Sequence, residues 1–414
     1  MRLTTTDQDR EAARDLLSAR AVRDRCTRVL AARTSLHHFR VNVDKLEAVA
    51  DYVIETMRLN YPDLDIPFHA RWRHFVIDGC DRWAALRGTL GVDLDGDEVA
   101  RIQFDLAITS VLLDAGAGDQ WRYRDQKTGR DIARSEGLAL ASLEAFAAGL
   151  FSSDRSQSLR ADARALQTLD AERLGEAFQV TAVNPLVGLD GRVSLMRALG
   201  KVLEQTPDVF ASAGPARVGG LFDYIRSRHG DQVEAADVLG IVLRSLGGIW
   251  PGRTEIGGVQ LGDTWPHSAV QTDDATDGLV PLHKLSQWLT YSLIEPLQNA
   301  GVAVQNIDGL TGLAEYRNGG LFVDLGVLEL KDPSAGERAH APGDELIVEW
   351  RALTVALLDA MAVIIRDKLG RSAEDLPLAS ILEGGTWSAG RRIARELRPD
   401  GPPPIKIQSD GSVF

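Results

Sequence analysis

Cysteine is scarce in this chain: Cys26 and Cys80 are the only two in 414 residues. They are too few and too far apart for a disulfide framework or a thiolate metal site, and read as free thiols of a reducing cytosol. Long hydrophobic runs are missing as well. The longest, ALTVALLDAMAVII, is broken by Asp359 and is too short to cross a bilayer. The opening MRLTTTDQDREAARD is charged and carries no apolar segment of the secretory kind. Positive charge is in deficit, with 46 basic against 59 acidic residues and a net charge of −13. Duplex binding neutralises phosphates with a basic footprint, so a nucleic-acid partner and a DNA-repair role are not expected. A small anionic ligand remains open, because a pocket can be locally cationic in an acidic protein.

The familiar motifs are absent too. DLDGDEVARIQFD, residues 93–105, alternates Asp93, Asp95 and Asp97 but has Glu98 where a calcium loop needs glycine. DAGAGDQW lacks the G-K-[ST] of a phosphate loop, and there is no H-E-x-x-H. The eight histidines do not cluster at ligand spacing. The expectation is a cytoplasmic protein with no cofactor, no metal and no membrane partner, acting on a small molecule. Its oligomeric state is not written in the sequence.

What is present is mostly helical. In NVDKLEAVADYVIETMRLNYP, Leu46, Val49, Val53 and Met57 recur at helical spacing, with Pro62 beyond the end. REAARDLLSARAVRDRCTRVLAAR reads as one helix, RSEGLALASLEAFAAGLF as a buried one, and SLMRALGKVLEQTPDVF and GLFDYIRSRHG as two more. DELIVEWRALTVALLDAMAVIIRDKLG reads as a central helix closed by Gly370. Strand signals are confined to GGVQLGDTW and PPPIKIQSDGSVF, and the stretch from Gly247 to Gly278 reads as a long loop-rich excursion. The fold expected is mainly α, one domain over residues 1–414 with a few short peripheral strands. Its N-terminal lobe spans about 1–155 and its C-terminal lobe about 185–414.

Three constellations carry chemistry. In PLHKLSQWLTYSLIEPL, Lys284, Trp288, Tyr291 and Glu295 share one stripe, either a solvated face or a pocket wall that stacks on a flat ligand. In LTGLAEYRNGGLFVDLGVLEL, Glu315, Tyr316 and Arg317 stand between apolar flanks. Gly319 and Gly320 behind them offer backbone freedom. This is an exposed turn, or a corner where a buried acid has a shifted pKa. In HARWRHF, Arg71 and His74 lie one helical turn apart beside Arg73, forming either a salt-bridged surface or a grip for phosphate. ARSEGLA and VEWRALT, the latter holding Arg351, each read as a buried ion pair. EGGTWSAGRR places Trp387 at a pocket rim or a helix start.

HARWRHF, PLHKLSQWLTYSLIEPL, LTGLAEYRNGGLFVDLGVL, ILEGGTWSAGR and the ending SDGSVF together resemble the uracil catabolism protein 4 family over nearly the whole chain. That family occurs in fungi and bacteria and is tied to degradation of uracil to urea. More distantly, the order of features is similar to the queuosine-salvage 5′-phosphate N-glycosylases, helical relatives of DNA glycosylases. Those carry a lysine on a helix, then D-Y-R, then an apolar segment ending in L-G. Lys284 matches the lysine, and EYR the triplet, with Glu315 in place of aspartate and Gly-Gly where the relatives have Leu-Pro or Val-Pro.

The resemblance implies a DNA-glycosylase-like, helix-hairpin-helix-related fold and an N-glycoside hydrolase. The enzyme would cleave ribose, or ribose 5-phosphate, from a urea leaving group. Glu315 would stabilise an oxocarbenium-like transition state or activate water, and Lys284 would orient it. Tyr316 and Arg317 would hold the turn, and Trp288 and Tyr291 would line the leaving-group side. Arg71, Arg73 and His74 would take a phosphate, with Arg351 behind. The alternatives are a non-catalytic sensor of a uracil-derived metabolite, a hydrolase of another nucleotide, and an amidohydrolase, for which no nucleophile triad is visible.

Overall fold

The computed structural model describes residues 7–90, 94–114, 116–211, 214–250 and 254–408. Asp93 of the calcium-like stretch and the ending SDGSVF lie outside them. The chain is mainly α, with two-stranded pairings as its only sheets among the described residues. The buried apolar side chains form one cluster running from Ala13 to Ile405.

Helices stand where the apolar spacing asks for them. The first long stretch divides in two, because Ser18 caps α1 (Ala19–Ala31) by accepting from the Ala21 amide and separates it from Asp7–Asp15. Helix α2 (Leu46–Asn60) turns Leu46, Val49, Val53 and Met57 inward. Helix α3 (Gly96–Leu112) is buried on almost every side, as is α4 (Arg134–Ala147) from Gly137 onward. Then come α5 (Lys284–Asn299) and the short α6 (Tyr316–Asp324). Helix α7 (Glu345–Leu369) is closed by Gly370 at φ +62°. Helix α8 (Trp387–Leu397) follows a π-turn at Leu382–Thr386. HARWRHF forms a 3₁₀ turn, Arg71–Phe75, rather than a helix. Val259–Gln260, Thr264–Pro266 and Lys406–Ile407 are the strands anticipated at GGVQLGDTW and PPPIKI.

Helix α7 is central and packs on α1, α2 and α6, while α5 packs on α3 and α6 on α8. Glycine makes the last crossings possible. A Cβ on Gly319 would sit 2.8 Å from Thr354 Oγ1 and the Trp350 indole, and one on Gly390 would sit 2.1 Å from the Arg317 carbonyl oxygen. Gly319 and Gly320 were expected to free the backbone; both are instead helical, and it is their lack of volume that α6 uses. VEWRALT also differs from expectation. Glu349 accepts the amides of His37, His38 and Phe39, and Arg351 pairs with Asp263. Among the described residues no helix is long and apolar enough to cross a membrane.

Candidate functional site

Asp263 ties two helix starts together. Its carboxylate takes both Arg351 nitrogens at 2.8 and 2.7 Å, the Trp265 indole N–H at 2.6 Å, and the backbone amide of Lys284 at 3.1 Å. Burial alone would raise this carboxyl, but those donors hold it well below the usual range. Arg351 Nε donates in turn to the carbonyl of Ala314, at 3.2 Å, just before Glu315. One bidentate pair thus sets the beginning of α5 against the beginning of α6. His283, directly before Lys284, is held at φ +45°, a strained conformation kept by its burial and its 2.9 Å contact to the Leu16 carbonyl.

Glu315 is the N-cap of α6. Its two oxygens accept from the amides of Arg317, at 2.7 Å, and Asn318, at 2.5 Å. The cap fixes the carboxylate's orientation, and the helix dipole favours its charge. Burial works in the opposite direction and prevails, so the Glu315 pKa is raised despite these amides and the charge of Lys284. Burial likewise lowers the Lys284 ammonium, against the pull of Glu315 and Asp114. Among the described residues, no ion pair within 4.0 Å joins Lys284 to a carboxylate; its Nζ lies 6.0 Å from the Trp288 ring centre.

Both side chains line one cavity of about 750 Å³, a size suited to a small ligand. Tyr316, Arg317, Trp288, His74 and Trp387 line it as well. Its aromatic side is built from His69, His74, Trp288 and Trp387, with ring centres 5.6–6.2 Å apart for each histidine–tryptophan pair. The π-turn before α8 brings Glu383 to His69 Nδ1 at 2.7 Å and presents Trp387. The lining is completed by Asp114 and Gly116–Asp119 after α3, by Arg134 and Ser135 at the start of α4, and by Pro399, Asp400, Pro402 and Pro403.

The other expected residues lie elsewhere. Tyr291 is fully buried, and its hydroxyl donates to the Thr311 carbonyl at 3.0 Å; it supports the loop before Glu315 without lining the cavity. Arg71 is wholly buried behind Asp114, which it meets at 2.8 Å, and it also donates to Ser110 Oγ. Arg73 pairs with Glu295 at 2.6 Å and is not part of the lining. Burial, and then the neighbouring Arg71 charge, push His74 down to about 3, so it is uncharged near neutrality. The phosphate grip expected of these three is therefore already spent on carboxylates or lacks charge.

Asp114, His69, Arg122 and Arg134 were not singled out from the sequence. Asp114 lies in DAGAGDQW, which fails as a phosphate loop, yet Asp114, Gly116, Ala117, Gly118 and Asp119 of it line the cavity. ARSEGLA suggests an ion pair of Arg134 with Glu136; Glu136 instead meets Arg391 at 2.7 Å, and Arg134 lines the cavity. Among the described residues, no three His, Cys, Asp or Glu side chains gather at metal-ligand spacing.

Comparison with known proteins gives a family and two relatives. Residues 15–414 match the family described as "Protein of unknown function (DUF1688)". Protein urg3 of Schizosaccharomyces pombe is 41% identical over 416 residues, covering 98% of this chain and 99% of its own length. Uracil catabolism protein 4 of Lachancea kluyveri is 38% identical over 410 residues, covering 91% of this chain and 92% of its own.

Proposed function

This chain belongs to the DUF1688 family, and from that membership and the cavity we propose that it acts in uracil catabolism as an N-ribosyl hydrolase. The substrate is a ribose, or ribose 5-phosphate, joined through its anomeric carbon to a urea nitrogen. The observation that carries this reading is Glu315: a buried carboxylate fixed by two backbone amides, in a cavity shared with a lysine that has no ion-pair partner among the described residues.

Cleavage of an N-glycoside builds positive charge on the sugar, which a fixed carboxylate stabilises. The C1′–N bond breaks with its electron pair going to nitrogen. Water adds to C1′ and yields a proton to Glu315, while the departing nitrogen takes one from the Lys284 ammonium. Passage of the proton from Glu315 to Lys284 restores both groups. The opposed pKa shifts support this division, since burial raises the acid, lowers the base and brings their proton affinities together. In this account the helix N-terminus, and not Lys284, orients the carboxylate. Trp288 and Trp387 offer faces for a planar ureido group.

Purified protein is incubated with ribosylurea and ribosylurea 5′-phosphate, and free urea is followed by mass spectrometry. Urea release is expected from at least one compound, with Glu315→Gln and Lys284→Met each slower by about a hundredfold or more. The Glu315→Gln change can set an amide N–H₂ against a backbone N–H, so folding of both variants is checked by melting. No release from either compound by folded wild-type protein would sink the hydrolase reading. Ligand binding that survives Glu315→Gln without any turnover would point to a sensor.

A further inference from the structure

Four interior arginines of this protein have carboxylate partners: Arg71 with Asp114, Arg82 with Asp125, Arg217 with Asp105 and Arg351 with Asp263. A buried guanidinium left without one is unusual. Arg317 is such a case; Arg25, equally buried, also lacks one among the described residues and donates to Thr276, but Arg317 alone of these two faces the cavity. Only 7% of it is exposed, it lines the cavity, and among the described residues no carboxylate lies within 4.0 Å of its guanidinium. It stacks over Tyr316 at 4.9 Å and donates to the Gly401 carbonyl at 2.8 Å. Arg134, also lining the cavity, has no carboxylate partner among them either and donates to the Asp400 carbonyl, at 3.4 Å.

A third arginine, lining the adjoining groove rather than the cavity itself, reaches the same strap, the segment at Asp400 and Gly401. The stem of Arg395 lies against Gly401, where an added Cβ would stand 2.8 Å from its Cγ. Arg395 too forms no ion pair with a described residue. Its charge is felt by its neighbours: Arg391 first, then burial, Arg134 and Arg317 push it below its ordinary pKa. Asp400 and Gly401 hold left-handed φ of +61° and +59°, which present two consecutive carbonyls to two different arginines. Each guanidinium is thereby positioned by a neutral acceptor, with no described carboxylate within 4.0 Å of it, in a chain of net charge −13. Arg134 also opens α4, so the positive end of that helix faces the same side of the cavity.

We propose that Arg134, Arg317 and Arg395 form an anion subsite at the mouth of the cavity, which takes a phosphate monoester. The assignment rests on the hydrolase reading of the cavity and names its substrate class: a 5-phosphorylated pentose derivative, its phosphate at the strap and its anomeric carbon toward Glu315. Such a ligand supplies the missing negative charge, and planar guanidinium forks suit its oxygens.

Titration calorimetry with inorganic phosphate, ribose 5-phosphate and ribose tests the subsite without any turnover. Two variants of exposed residues spare the core. Arg134→Gly removes the guanidinium where φ is +59° and glycine is at ease, and Arg395→Ala truncates an exposed helical position. Arg392→Ala, whose guanidinium pairs with Glu55 and Glu396, is the control. Saturable phosphate binding is expected in wild type and in the control, weaker by about ten- to a hundredfold in each of the other two variants. Ribose 5-phosphate is expected to bind at least about tenfold tighter than ribose. Absent phosphate binding, variants indistinguishable from wild type, or equal affinity for the two sugars would each overturn the subsite. If the phosphate pattern holds while no ribosylurea compound is hydrolysed, the hydrolase reading alone falls.

Discussion

Glu315 shows how a structural and a chemical task can fall on one side chain. Capping α6 needs an acceptor at that position; stabilising a sugar cation needs that acceptor to be charged, buried and fixed. His74 shows the opposite case, a titratable group whose environment removes its charge. Burial and Arg71 bring it to about 3 from an ordinary 6.5. The unfolded chain therefore binds a proton below pH 6.5 that the folded one refuses, and stability contributed by His74 is lost as the pH falls through that window. The slope is up to about 1.4 kcal/mol per pH unit. Urea unfolding of wild type and His74→Phe between about pH 5 and 7 checks it, using the difference between the two proteins so that carboxylates cancel. Parallel pH profiles would mean that His74 is charged in the folded state.

Helical elements were legible because their signal is local. Leu46, Val49, Val53 and Met57 announce α2 by spacing alone, and Gly370 announces the end of α7. The cavity was only half legible. Lys284 and Glu315 were paired through the order of motifs in a distant resemblance, and they do line the same space. Asp114, His69 and Arg134 come from segments far away in sequence from both, and no local pattern marks which acid or arginine the tertiary fold turns inward. The glycines of α6 were misread for a related reason: a helix–helix contact and a turn ask for the same residue. Gly390→Ala tests the contact from the α8 side, since its Cβ would fall 2.1 Å from the Arg317 carbonyl oxygen on α6. The crossing of α6 and α8 must open, at a cost of about 1–3 kcal/mol, and Arg317 moves with it. Differential scanning calorimetry is expected to show a lowered Tm, and phosphate affinity is expected to fall with it. An unchanged Tm would place that crossing wrongly.

For the whole molecule, the question is how a chain of net charge −13 admits an anion. The acidic excess is a property of the chain as a whole, whereas the three arginines at Asp400 and Gly401 act at contact range. Salt separates the two contributions. At a Debye length of about 8 Å in physiological salt, the diffuse repulsion is already largely screened, and further salt mainly weakens the local attraction. Affinity for ribose 5-phosphate is therefore expected to fall several-fold between about 0.1 and 0.5 M sodium chloride, while affinity for ribose stays level. Arg134→Gly should flatten the dependence, because it removes one of the charges being screened. Affinity for the phosphate rising with salt would show instead that the ligand feels the acidic molecule as a whole. The strap arginines would then be structural, and the selectivity of the cavity would have to come from its aromatic side.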